Sequence, residues 1–195
     1  MTSLVLIRHG PTDWNAEGRI QGRSDRPLSA AGRASVARWR LPAEPADRVW
    51  IVSPLKRARQ TAELLNIADA AVEEALIEAD WGAWEGERLA DLRRRLGAEL
   101  AAEEARGLDF TPPGGESPRD LQRRLAPLLR RLAAAGRATG AVTHKGVIRA
   151  LYAQASGWHM RGKAPQRLVD GMAHVFRLDA DARLHVERLN LPLAG

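Results

Sequence analysis

A chain of 195 residues with a formal net charge of +6 and no cysteine has room for one hydrophobic core, and it excludes disulfides and thiolate metal sites. No apolar run approaches the roughly 20 residues of a membrane span, and Met1, Thr2 and Ser3 carry no basic leader, so one cytoplasmic domain over 1–195 without membrane partners is expected. The cationic excess is almost all arginine, dispersed among glutamates as at Arg93, Arg94 and Arg95, which reads as solvated helix faces and predicts no nucleic-acid partner.

The first predicted element is a strand, Leu4 to Ile7, that runs straight into Arg8, His9 and Gly10. Residues 16–27 are polar and carry Gly18, Gly22 and Pro27, a loop. A helix is predicted from Ala30 to Leu41, capped by Ser29 and ended by Pro42 and Pro45, with Val36 and Trp39 on one face. A second strand covers Arg48 to Val52 and is apolar enough to be covered on both faces. Ser53 and Pro54 read as the cap and first residue of the next helix, lined by Leu55, Ala58, Ala62 and Leu65.

Residues 71–77 read as extended and 80–86 as turns. One amphipathic helix is predicted over 88–106 from Leu89, Leu92, Leu96 and Leu100. Thr111 to Gly115 cannot be regular. A helix from the Ser117 cap and Pro118 runs to Ala135, with Pro127 expected to kink or interrupt it. A third strand, Gly140 to Thr143, leads into His144, Lys145 and a helix ending near Ser156. The chain closes with a hairpin, 174–178 and 183–189, whose exposed edge would suit a homodimer. Strands alternating with helices predict an α/β three-layer sandwich with a mostly parallel central sheet, a helical insertion at about 87–136 and a C-terminal hairpin.

In such a sheet the carboxyl ends of successive parallel strands share one edge, where ligands bind. That edge would gather Arg8 and His9, Arg57 in the first turn of a helix, and His144, together with two helix N-termini that favour anions. The five histidines show no metal-ligand spacing, so no metal is expected. A cationic pocket holding two imidazoles suits a phosphoryl group handled by nucleophilic catalysis on nitrogen. Taken singly, each residue has a plainer role: a hydrogen-bonded histidine at a strand end, or a surface arginine in an ion pair.

These residues lie in longer motifs. Arg8-His9-Gly10 is followed by Thr12 and Asn15, then by RIQGRSDRPLS over 19–29 and Gly32. SPLKRARQTA follows at 53–62, EADWGAWEG at 78–86, PPGGES at 112–117 and VTHKGV at 142–147. In this order they resemble the histidine phosphatase superfamily, which includes the cofactor-dependent phosphoglycerate mutases.

The resemblance implies that His9 is the nucleophile that becomes a phosphohistidine, with its other ring nitrogen donating to a backbone carbonyl. It implies that Arg8, Arg57 and His144 surround the phosphoryl oxygens, and that Glu78, in its acid form, protonates the leaving oxygen. Asn15 would hold the phosphate, and Gln21, Gly22 and Arg59 would line the substrate pocket. Lys145 stands where some branches have glycine and adds a cation at the pocket rim; Pro11 replaces a frequent Glu or Gln. For Trp14, Trp81 and Trp84 the alternative to a site role is packing, preferred for Trp84.

The short chain and the PPGGES segment are similar to the phosphatase branches, including α-ribazole phosphatase and broad-specificity enzymes. A small phosphorylated substrate and no cofactor are therefore expected. The alternative is a phosphoglycerate mutase, which would need 2,3-bisphosphoglycerate. A non-catalytic phospho-ligand binder and, from charge alone, a nucleic-acid binder whose affinity would fall steeply with salt are the remaining readings from other classes.

Overall fold

The computed structural model describes residues 1–41 and 47–193. Its frame is one six-stranded sheet built from β1 (Thr2–Arg8), β2 (Val49–Val52), β3 (Ala71–Val72), β4 (Thr139–Thr143), β5 (Met172–Leu178) and β6 (Leu184–Pro192), in the order β3-β2-β4-β1-β5-β6. The first four strands of that order pair in parallel, and β5 and β6 add antiparallel to β1. The expected mixed α/β architecture with a mostly parallel sheet is therefore present.

Strand β1 sits in the middle because its apolar run is covered on both faces. Leu4 and Leu6 face a cluster formed with α6 (Pro118–Ala135) and α7 (Lys145–Ser156), including Leu121, Leu125, Val147 and Leu151. Val5 and Ile7 face the other side, against Ala173, Val175 and Leu193. Each buried Leu or Ile here contributes about 1.5–3 kcal/mol of transfer free energy. Beyond β2 and β4, α3 (Lys56–Leu64) packs Ala58 and Ala62 on Val52 and Val142.

Several boundaries differ from expectation. The helix predicted to reach Leu41 stops at Val36, with Ala37 as its C-cap, and the predicted stops Pro42 and Pro45 lie outside the described residues. The segment read as extended holds two strand residues and then a single 3-10 turn, Glu74–Leu76. The helix predicted over 88–106 is two, Leu89–Leu96 and Ala98–Glu104, because Gly97 adopts φ +49 between them. Pro127 does not interrupt α6, which runs through it from a Ser117–Asp120 capping box to a left-handed Gly136. Among the described residues no helix is long and apolar enough to cross a membrane.

The antiparallel addition of β5 has a topological consequence. Its first residues lie at the same sheet edge as the carboxyl end of β1, with Ile7 opposite Ala173. The segment leading into β5 is thereby brought beside Arg8.

Candidate active site

The carboxyl ends of β1 and β4 are in register, Arg8 opposite Thr143, so His9 and His144 leave the sheet side by side. Their ring centroids are 5.1 Å apart. His9 Nδ1 lies 2.7 Å from the Gly10 carbonyl oxygen. A carbonyl can only accept, so Nδ1 carries the proton and the lone pair is on Nε2. The backbone N–H of Gly10 in turn donates to Thr61 Oγ1 at 2.9 Å, holding the turn. Burial, and then the charges of Arg8 and Arg57, push the His9 imidazole well below its ordinary value, against the smaller upward pull of Gly10.

His144 is fully buried, and its Nε2 sits 2.6 Å from Ser53 Oγ. Burial first, then His9, Arg57 and Arg8, keep it neutral. Ser53, expected as the helix cap, meets His144 and also accepts from the Leu55 N–H at 3.4 Å, while α3 begins only at Lys56, whose N–H donates to Asp25 Oδ1 at 2.7 Å.

Arg57 enters from the first turn of α3 and is 1% exposed. Its guanidinium donates to the carbonyl oxygens of Gly22 at 2.7 Å and Ser24 at 2.9 Å. Arg8 makes an ion pair with Asp170 at 2.5 Å. Around the two imidazoles, Arg8 Nε, Arg57 Nε and His144 Nδ1 are buried with no hydrogen-bond partner among the described residues. Unpaired buried polar groups are costly and rare. Two guanidinium N–H donors orphaned together are satisfied at once by an oxyanion with several acceptor oxygens.

Glu78 reaches the N-terminus of α7. Its oxygens accept from the backbone N–H groups of Ala79 at 2.9 Å and Gly146 at 3.1 Å. A Cβ on Gly146 would overlap the Glu78 carboxyl, so glycine permits this approach. The segment carrying Glu78 is pinned by Arg124 of α6, which donates to the carbonyls of Ala75 at 2.6 Å and Ile77 at 3.1 Å while paired with Glu116.

The remaining predicted residues divide. Asn15 and Gln21 are joined through Thr12: Asn15 Oδ1 accepts from the Thr12 N–H at 3.0 Å, and Thr12 Oγ1 lies 2.9 Å from Gln21 Oε1. The Asn15 carbonyl is therefore committed to a capping box, leaving its amide N–H groups for other partners. Gly22 has φ +53, and a Cβ there would strike Glu85. Lys145 is exposed and lies 3.3 Å from Asp170. Arg59 is not brought into the cluster: it is exposed, two residues and so about 200° around the helix from Arg57. Trp84 is buried against Leu92 and Leu100, Trp81 meets Phe110 edge-on at 5.7 Å, and Trp14 lies under the Arg26 guanidinium.

Sequence reasoning missed Ser53 as a partner of His144, Asp170, Arg124 and the part played by Glu85. None carries a local signal, since each acts across at least 45 residues of chain or from a surface segment. Among the described residues no group of three or more His, Asp or Glu side chains is arranged to hold a metal ion.

The sequence profile of the histidine phosphatase superfamily (branch 1) matches residues 4–190. The chain belongs to this superfamily. It is 32% identical over 192 residues to the 2,3-bisphosphoglycerate-dependent phosphoglycerate mutase of Methylorubrum populi, covering 91% of this chain and 90% of that enzyme. Among solved structures it is similar to a mycobacterial glucosyl-3-phosphoglycerate phosphatase, at TM-score 0.77 and 27% identity over the whole of both chains. It is also similar to a putative α-ribazole-5′-phosphate phosphatase from Escherichia coli, at TM-score 0.79 and 25% identity, covering 100% of this chain and 98% of that one.

Proposed function

We propose that the protein is a metal-independent phosphomonoesterase of the histidine phosphatase superfamily, working through phospho-His9 on a small phosphorylated metabolite. The observation that carries this is the His9 tautomer: with Nδ1–H given to Gly10, the Nε2 lone pair is free among three orphaned donors or acceptors of Arg8, Arg57 and His144.

In the first step the Nε2 lone pair attacks phosphorus and the bond from phosphorus to the ester oxygen breaks. Arg8 and Arg57 take the charge that builds on the phosphoryl oxygens. Glu78, in its acid form, gives its proton to the leaving oxygen. Each of its oxygens has a second lone-pair site, so the proton need not displace the bonds to Ala79 and Gly146. In the second step water attacks phosphorus, the bond to nitrogen breaks, phosphate leaves and the proton from water returns to Glu78. Asn15, through its free amide N–H groups, helps to hold the phosphate.

A second reading is favoured by the likeness to the Methylorubrum enzyme: a phosphoglycerate mutase, in which phospho-His9 passes its phosphoryl group to a second hydroxyl of glycerate. Here 2,3-bisphosphoglycerate would prime His9.

The test is rapid acid- and base-quench of enzyme with 32P-labelled substrate. A base-stable, acid-labile phosphoprotein that disappears in His9→Ala is expected, with turnover lower by at least about 10⁴-fold. Turnover retained in His9→Ala sinks the mechanism. Phosphate release scored beside mutase activity, with and without 2,3-bisphosphoglycerate, separates the two readings.

A further inference from the structure

A cavity of about 440 Å³ opens on the α7 face of the sheet, and the paired Arg8 and Asp170 are among its lining residues. Its floor is His174 of β5, one wall is α7, and the other is the segment 162–170 that leads into β5. Five cations line it: Arg8, Lys145, Arg149, Lys163 and Arg167. Asp170 is the one carboxylate among its lining residues, and it is already taken by Arg8 and Lys145. No ion pair involves Arg149, Lys163 or Arg167 among the described residues.

The walls are built, not loose. Tyr152 Oη accepts the Gln166 N–H at 2.9 Å, and Trp158 Nε1 donates to the Arg161 carbonyl at 3.2 Å, tying the segment to α7 and its C-terminal turn. The Arg149 guanidinium lies 5.2 Å over the Trp158 ring, half-buried, and burial lowers its proton affinity. Arg149 has no ion-pair partner among the described residues and faces the cavity beside four other cationic side chains, so an anion placed there gains from several of them at once. Ile148, Trp158 and Leu168 give the same cavity an apolar side.

We propose that this cavity is an anion subsite that takes a phosphate or carboxylate group of a small metabolite, sharing Arg8 with the phosphoryl pocket. The anion has two sources: the second end of a substrate whose first phosphate sits on His9, or a separate small anion. Only the first source rests on the phosphatase reading. Because Asp170 holds both Arg8 and Lys145, an occupying anion competes with it for the same cations and is coupled to the reacting centre through Arg8.

The indole N–H resonance of Trp158, assigned with Trp158→Phe, is the readout, titrated with inorganic phosphate. A saturable shift is expected in the wild type, with affinity weakened about tenfold or more in Arg149→Gln/Arg167→Gln. Lys163→Gln, at an exposed position, gives a smaller loss and serves if the double variant does not fold. No shift with phosphate, or the same affinity in the variants, overturns the proposal.

The source is read from hydrolysis of propyl phosphate and of propane-1,3-diyl bisphosphate. A kcat/KM ratio favouring the bisphosphate that collapses in the variants assigns the cavity to the substrate's second end. A ratio near one, with the Trp158 shift intact, assigns it to a separate anion. Failure to hydrolyse either ester counts against the phosphatase reading alone, since the phosphate titration stands without turnover.

Discussion

Glu85 holds Ser24 by two bonds: its Oε2 accepts from the Ser24 N–H at 2.8 Å and from Ser24 Oγ at 2.6 Å. Its other oxygen accepts from the Arg23 N–H at 2.7 Å. The Ser24 and Gly22 carbonyls are the same two that fix the Arg57 guanidinium. A carboxylate without contact to the imidazoles thus sets where Arg57 points. Glu85→Ala is expected to lower kcat/KM by about 10²-fold through a misplaced Arg57, since a displacement near 1 Å costs about that much. Glu85→Gln should recover part of it, as its amide oxygen can still accept. Steady-state kinetics on p-nitrophenyl phosphate decides; wild-type rates in Glu85→Ala would separate the loop from Arg57.

Glu78 as the acid makes a prediction about leaving groups. Alkyl esters need protonation of the departing oxygen, whereas p-nitrophenolate leaves without it. Glu78→Gln is expected to lose about 10²–10⁴-fold on alkyl phosphates and far less on p-nitrophenyl phosphate. A plot of log kcat/KM against leaving-group acidity should steepen. Equal losses along the series would remove Glu78 from that role.

Ser53 is the partner of a fully buried imidazole whose Nδ1 already lacks one. Removing the hydroxyl leaves both ring nitrogens unsatisfied. Ser53→Ala is expected to cost about 1–3 kcal/mol of stability, read as a Tm lower by several degrees in calorimetry. A Tm equal to the wild type would mean that water or a rotated His144 replaces the bond.

The buried histidines set a pH dependence. Burial lowers His9 and His144 well below 6.5 and His174 to about 4, so the folded state holds all three neutral where the unfolded chain takes up protons. The unfolded state therefore binds more protons below 6.5, and stability rises with pH through that window. It is complete above 6.5 and is lost progressively as pH falls toward the folded-state values. Urea midpoints measured from pH 7.5 to 4.5 should fall below pH 6.5, more shallowly in His174→Asn. For the same reason neutral His9 stays available on the acid side, and the acid limb of kcat/KM should lie below 6.5. A midpoint flat across this range would contradict neutral burial.

Much of the fold was legible because it rests on local chemistry. The apolar run from Leu4 to Ile7, the Ser117–Pro118 cap and the closing hairpin each carry their own pattern, and the mostly parallel sheet, though not its strand order, followed from strand–helix alternation. The same rule brought Arg8, His9, Arg57 and His144 to one edge. Errors fell where a distant group competes with local preference or where a glycine takes a conformation that the apolar pattern does not show. Ser53 has the composition of a cap but bonds a side chain 91 residues away. Gly97 sits inside an amphipathic pattern, yet its positive φ breaks the helix.

By itself, then, the sequence determined most of the strands, the two imidazoles at their ends and the cations near them, because strand ends and side-chain types are local properties. Only the tertiary structure decided the bond of Ser53 to His144, the anchoring of Arg57 by the Gly22 and Ser24 carbonyls and the pairing of Arg8 with Asp170. Those depend on hydrogen bonds between segments far apart in the chain, whose geometry no spacing encodes.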